Sequence, residues 1–317
     1  MKTKILLLII LLLTTSNLIA QQEKETKCTE KSVTLETEQG NIEGTLLIPD
    51  NLSNIPVALI IAGSGPTDRD GNNPMMKNNS LKMLAEELCK KNIASLRYDK
   101  RGIAASKDAG LDEKELRFEN YIDDAVAWIE LLKQEKQFNK IIIIGHSEGS
   151  LIGMIAAQKS PVDIYVSIAG VGQSADKTLK EQLKSQPQIV IDAAFPIIDS
   201  LVQGKTVDNV DPMLYTLFRP SVQPYIISWF KYDPQNEINK LKLPVLIVQG
   251  TTDIQVSVDD ANNLFNANKS AKLEIIEGMN HIFKEAEVAR QKNISTYSKA
   301  DLPVKKELIE VIVDFIY

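Results

Sequence analysis

The chain has 317 residues, long enough for one large α/β domain or two of ordinary size. Apolar residues at 44% and charged residues at 25% are a globular composition, which excludes a disordered or fibrous chain. Asp and Glu (42) outnumber Lys and Arg (36), for a net charge of -6, so the charge balance gives no reason to bind nucleic acid or anionic lipid. Two cysteines exclude a disulfide framework or a four-cysteine zinc site. With only two histidines, any imidazole chemistry must use His146 or His281.

Lys2 and Lys4 flank the start of an apolar run over 5–13, and a polar stretch then leads to Leu18-Ile19-Ala20. This predicts a secretory signal peptide over residues 1–20, cleaved after Ala20, with the mature chain (21–317) secreted or periplasmic. The run is too short to span a bilayer, which takes about 20 apolar residues. No stable membrane anchor is expected after cleavage. Cys28 lacks the apolar, small-residue context of a lipidated cysteine. In an exported chain Cys28 and Cys89 either pair or stay as two free thiols.

Residues 32–38 and part of 41–48 alternate apolar with polar around Gln39-Gly40, which predicts an antiparallel hairpin. The apolar run 56–62 reads as a strand, followed by a Gly/Asp/Asn-rich loop to Asn79. Residues 80–91 carry helical spacing through Leu81, Leu84, Ala85 and Leu88, and 93–97 follow as a short strand. Phe118, Ile122, Ala125, Ile129 and Leu132 mark an amphipathic helix. Four isoleucines, 141–144, have the continuous apolar character of a strand buried on both faces of a parallel sheet. Further strands are expected at 164–168, 244–248 and 273–276, and a closing helix from about Pro303, where proline suits the first turn. The fold class is therefore α/β: a mostly parallel, doubly wound sheet with an N-terminal antiparallel hairpin.

The interval 171–243 is far longer than a crossover, which needs about 12 to 30 residues. It carries Phe195, Tyr215, Phe218, Tyr225, Trp229 and Phe230, too apolar a set for a linker. We read about 173–240 as a helical cap inserted over the carboxyl ends of the strands. Phe195, Phe218 and Trp229 are its candidate substrate-binding residues.

The isoleucine strand runs into Gly145-His146-Ser147-Glu148-Gly149, and a small, apolar helical stretch follows. A Gly-x-Ser-x-Gly between strand and helix is the pattern of a sharp turn that presents its serine, with glycines where no Cβ fits. A serine hydroxyl needs a base to attack. His146 adjoins Ser147 across the turn and points elsewhere, so it is assigned to packing beside the turn. His281 lies on a loop beyond the strand 273–276 and is the candidate base. Asp253 lies just past the strand ending at Val248 and is the candidate to orient it, in the order Ser147, Asp253, His281. Asp259 and Asp260 are assigned to the amino end of the next helix. Backbone N–H donors for an oxyanion are expected from Glu148, after the nucleophile, and from the loop Gly63-Ser64-Gly65-Pro66, with Ser64 preferred to Gly65. Asp68, Arg69 and Asp70 are read as bracing that loop, and Asp99 and Arg101 as supporting residues.

The runs IAGSGPTDRDGNN, LRYDKRGIAAS, GHSEGS and GTTDIQV together resemble a group of bacterial secreted carboxylesterases of the α/β-hydrolase superfamily, often grouped with serine aminopeptidases. The resemblance covers roughly 33–316, with the motifs in the family's order. It implies the α/β-hydrolase fold and hydrolysis of small acyl esters. Ser147, Asp253 and His281 fall on the family's triad positions, and Ser64 and Glu148 on its oxyanion positions. The chain departs from the family in having Ala62-Gly63 where a histidine-glycine pair is commoner, and Ala105 where many relatives have glycine.

The expected function is a serine hydrolase cleaving small carboxylic esters through an acyl-Ser147 intermediate, with a small-molecule substrate and no metal or cofactor. One alternative is an aminopeptidase using the same triad, which needs a cap carboxylate for the substrate's ammonium; Glu181, Asp192, Asp199 and Asp208 are available. Another is a non-catalytic binding protein on the same scaffold.

Overall fold

Alternation builds the first two strands, β1 (Cys28–Thr37) and β2 (Gly40–Pro49), which pair antiparallel from Thr37 opposite Gly40. In this computed structural model residues 26–317 are described, so the expected leader and its cleavage site lie outside the described residues. The hairpin joins the sheet through β2, antiparallel to β4 (Ala94–Tyr98). From there every pairing is parallel, through β3 (Ile55–Ile61), β5 (Phe138–His146), β6 (Ile164–Ile168), β7 (Val245–Gly250) and β8 (Lys272–Ile276). The order β1-β2-β4-β3-β5-β6-β7-β8 reverses direction between β3 and β5. In such sheets the crevice outside the carboxyl ends at that reversal is where ligands bind.

The isoleucine run shows why its strand is apolar throughout. Ile141 and Ile143 face one core, shared with α2 (Phe118–Gln134), α3 (Glu148–Lys159) and α9 (Val258–Ala267). Ile142 and Ile144 face the other, shared with α1 (Ser80–Lys90) and α11 (Lys306–Ile316). With side chains alternating between faces, a strand covered on both sides needs apolar residues at every position.

The interval between β6 and β7 is helical: α4 (Ala175–Leu183), α5 (Gln188–Val202), α6 (Tyr215–Phe218), α7 (Gln223–Trp229) and α8 (Pro234–Lys240). Leu183, Ile198, Leu201, Leu214, Phe218 and Ile226 form a separate small core that holds α4 to α7 together. The last helix differs from the expected boundary at residue 240. Ile238 of α8 and Leu241 are buried in the sheet's own core, so α8 belongs to the sheet's helical layer and the cap ends before it.

Two local expectations shift. The closing helix starts at Lys306, not Pro303, because Val304 bridges Lys284 and the Lys305 N–H donates to the Phe283 carbonyl at 2.7 Å, which keeps residues 303–305 extended. A short α10 (Arg290–Ser295), for which no periodicity was evident, precedes it. Cys28 and Cys89 form a disulfide that fastens β1 to α1. No helix among the described residues is long and apolar enough to cross a membrane.

Candidate active site

Ser147 sits between β5 and α3 with φ 55° and ψ -120°, a conformation that costs free energy for any residue bearing a Cβ. Its neighbours make the turn possible. A Cβ at Gly145 would lie 2.5 Å from the Gly149 carbonyl oxygen, and one at Gly149 only 2.3 Å from that of Ile61. The Ser147 N–H donates to the Ile168 carbonyl at 3.0 Å, which ties the turn to β6. The loop after β3 comes close as well, since a Cβ at Gly63 would stand 3.1 Å from that of Ser147.

The carboxyl ends of β7 and β8 bring Asp253 and His281 together. His281 Nδ1 donates to Asp253 Oδ2 at 2.8 Å, and both side chains are buried. The same carboxylate accepts from Gln249 Nε2 at 3.1 Å and from the backbone N–H groups of Gln255 and Val256 at 2.8 and 3.0 Å. Burial opposes ionisation of Asp253, but the His281 charge and the hydrogen bonds from His281, Val256 and Gln255 outweigh it and hold the carboxyl below its ordinary value. An acceptor fixed on Nδ1 leaves Nε2 unprotonated in neutral imidazole, the tautomer a base requires. Among the described residues, no hydrogen bond to the Ser147 hydroxyl is closed in this structure; such bonds often tighten only on substrate binding.

His146 has the packing role assigned to it. Its ring stands 4.7 Å from that of His281 and 4.8 Å from that of Phe283, and its Nε2 pairs with the His281 carbonyl at 2.9 Å. Burial, with His281 alongside, drives its pKa down to about 3, so it is neutral in ordinary buffers.

Glu148 is the first residue of α3, so its N–H has no acceptor within the helix. Ser64, Ser147 and Glu148 line one cavity of about 750 Å³ beneath the cap. Leu116, Leu151, Leu179, Val222, Ile226 and Trp229 give it an apolar wall, and Phe218 also lines it. Phe195 does not. It packs in the cap's own core, with Lys180 over its ring at 5.4 Å, because its helix faces that core. Helical periodicity in the sequence marks an apolar face without saying which neighbour covers it.

The supporting residues act as expected. Asp68 accepts from the N–H groups of Asp70 and Asn72 at 2.9 and 2.8 Å, and Arg69 pairs with Asp99 at 2.7 Å. Arg101 pairs with Asp124. Asp260 closes a capping box with Ser257 at the start of α9. Sequence reasoning missed Lys100 and Tyr225, which meet at the Glu148 carboxylate, and Glu113, which binds Arg219 and Ser221 of the cap. Glu113 and Glu148 are the carboxylates lining the cavity, and both are paired. Of the acidic cap residues proposed for an ammonium, Glu181 pairs with Lys184, Asp199 with Lys180 and Asp192 with Gln188; Asp208 is exposed, and none of the four lines the cavity.

A family model described as "Serine aminopeptidase, S33" matches residues 77–212, a stretch that holds Ser147 but neither Asp253 nor His281. Esterase EstD of Thermotoga maritima is 25% identical over 263 residues, covering 81% of this chain. The chain spans 61% of that relative's length. Est1E from Butyrivibrio proteoclasticus, solved with ferulic acid bound, superposes with a TM-score of 0.61 at 17% identity over 90% of this chain and 99% of that one. An esterase of Pyrococcus furiosus gives 0.57 at 16% identity, over 95% of this chain and 93% of that one. At such identities the two structures establish a shared fold, on which many unrelated activities are carried.

Proposed function

We propose that this chain, an α/β-hydrolase that resembles esterases of that superfamily, is a serine hydrolase cleaving carboxylic esters through an acyl-Ser147 intermediate. The observation that carries the reading is the Ser147 turn, strained, held by two glycines and lining an apolar cavity, together with the buried Asp253–His281 pair, whose imidazole lies 4.7 Å from the ring of His146, the residue before Ser147. His281 Nε2 takes the hydroxyl proton as Ser147 attacks the ester carbonyl, and the N–H groups of Ser64 and Glu148 receive the developing oxyanion. Protonated His281, stabilised by the Asp253 carboxylate, then donates to the leaving alcohol. Water repeats the sequence in reverse to release the acid.

Ester is favoured over aminoacyl amide because both carboxylates in the cavity wall are already paired, leaving neither to receive a substrate's ammonium. Export is proposed with it, and the Cys28–Cys89 disulfide supports an oxidising compartment. The test is turnover of p-nitrophenyl esters against aminoacyl-nitroanilides, with mapping of a fluorophosphonate label. Ester turnover and a label on Ser147, both lost in Ser147→Ala, are expected. A label on Ser64 or Ser150, or preference for the nitroanilides, overturns the assignment.

A further inference from the structure

We propose that Lys100 is a positioning residue for the oxyanion site, acting on the Gly63–Ser64 peptide through the Gly63 carbonyl. The proposal rests on the reading of Ser147 as the nucleophile. Lys100, just beyond β4, is 2% exposed. Its ammonium donates to the Gly63 carbonyl at 2.6 Å and lies 3.3 Å from Glu148 Oε2 and 5.0 Å from the centre of the Tyr121 ring. The Gly63 carbonyl and the Ser64 N–H belong to one rigid, planar peptide unit, so a donor that fixes the oxygen also fixes the direction of the N–H. A cation at the oxygen polarises the same unit, and hydrogen bonds in series reinforce one another where the dielectric is low.

The partner of that cation is informative. A buried ammonium is strongly disfavoured unless it is paired. Here the pairing carboxylate belongs to Glu148, whose backbone N–H is the other oxyanion donor. One buried ion pair thus spans the two donor segments, the loop after β3 and the first turn of α3. Tyr225 of α7 donates its phenol to Glu148 Oε1, which extends the network into the cap. Burial, with Glu148 beside it, holds the Tyr225 phenol protonated and therefore able to donate.

The N–H groups meet full negative charge only in the tetrahedral transition state, so loss of their alignment should appear in kcat and not in KM. Lys100→Met should lower kcat about ten- to a hundredfold, less than or equal to the loss of a whole oxyanion donor. Binding of a trifluoromethyl ketone, which adds Ser147 to become tetrahedral, should weaken by the same factor. Binding of the corresponding methyl thioether, which cannot accept Ser147, should not change. A role confined to stability would instead lower the melting temperature and leave kcat and both affinities of the folded fraction at parental values.

Because the single variant strands the Glu148 carboxylate, Lys100→Met/Glu148→Gln is made alongside it to remove both charges. The double variant is expected to melt near the parent and to keep the kcat and trifluoromethyl ketone defects, since the Gly63 carbonyl still lacks its ammonium. Parental kcat and inhibitor affinity in the folded double variant overturn the role of Lys100 alone. A parent protein that neither hydrolyses esters nor takes a label at Ser147 overturns the functional reading, and this assignment with it.

Discussion

Replacing Asp253 by asparagine keeps the shape of the side chain and changes which hydrogens it carries. Asp253 Oδ1 accepts from the backbone N–H groups of Gln255 and Val256, and Oδ2 from His281 Nδ1 and Gln249 Nε2. The new amide must place its oxygen at one end and its NH₂ at the other. With NH₂ toward residues 255 and 256, two backbone donors face a donor, at about 1–3 kcal/mol each or 2–6 kcal/mol together. The oxygen therefore stays with the two backbone donors and the NH₂ faces His281. Gln249 is held there by its bonds to the Gly250 and Val256 carbonyls, so it does not readily rotate to relieve the second clash. His281 must then accept at Nδ1, its proton moves to Nε2, and no lone pair remains for the Ser147 hydroxyl. Set against the one remaining clash at Gln249, the net preference is about 1–3 kcal/mol, which leaves the productive tautomer at roughly one part in 5 to one part in 160, so kcat should fall by about that factor. Initial rates on p-nitrophenyl butyrate, with thermal melting to verify folding, provide the measurement. A folded Asp253→Asn retaining more than half of parental kcat would refute the argument, since the amide would then sit with its oxygen toward His281 despite the two backbone donors.

Three further outcomes are expected. His146, neutral and buried with a pKa of about 3, binds its proton more readily in the unfolded chain; its contribution to stability is therefore intact above about pH 6.5 and declines as pH falls towards 3, with a slope approaching 1.4 kcal/mol per pH unit. Urea midpoints between pH 7 and 4 should accordingly fall more steeply for the parent than for a folded His146→Gln, and parallel curves would exclude the assignment. The Cys28–Cys89 bond joins residues 61 apart in sequence, for which chain entropy gives up to about 4 kcal/mol, so the double Cys→Ser variant should melt markedly lower with unchanged ester turnover in its folded state; an unchanged urea midpoint would count against it. Across p-nitrophenyl esters from acetate to octanoate, Phe218→Ala and Trp229→Ala should move the acyl-length optimum by changing selectivity about 1–3 kcal/mol, whereas Phe195→Ala, outside the cavity, should leave the profile alone; a shift from Phe195→Ala with neither of the others would place the pocket elsewhere.

Much of the architecture is written in short stretches of sequence. A strand covered on both faces must be apolar at successive positions, which is why Ile141 to Ile144 marks β5 unaided, and the glycines around Ser147 announce a turn because no Cβ fits there. The placement of Asp253 and His281 was legible for a related reason: each follows a strand of the parallel part of the sheet, and parallel strands deliver their carboxyl ends to the same edge. The assignment of His146 to packing followed from the same turn geometry. Other features depended on distances that no local pattern carries. Whether the two cysteines pair, where α8 packs, and which cap aromatics face the cavity are settled by the packing of elements far apart in sequence. The same holds for Lys100, Glu148 and Tyr225, drawn from the loop after β4, from α3 and from α7 to one buried point. Sequence alone determined the elements and the order of the candidate groups along the chain, because burial and turn geometry act within a few residues. Tertiary structure decided the partners, because a hydrogen bond or an ion pair is specified to within half an ångström, and only the packed sheet and its helical layers fix positions that closely.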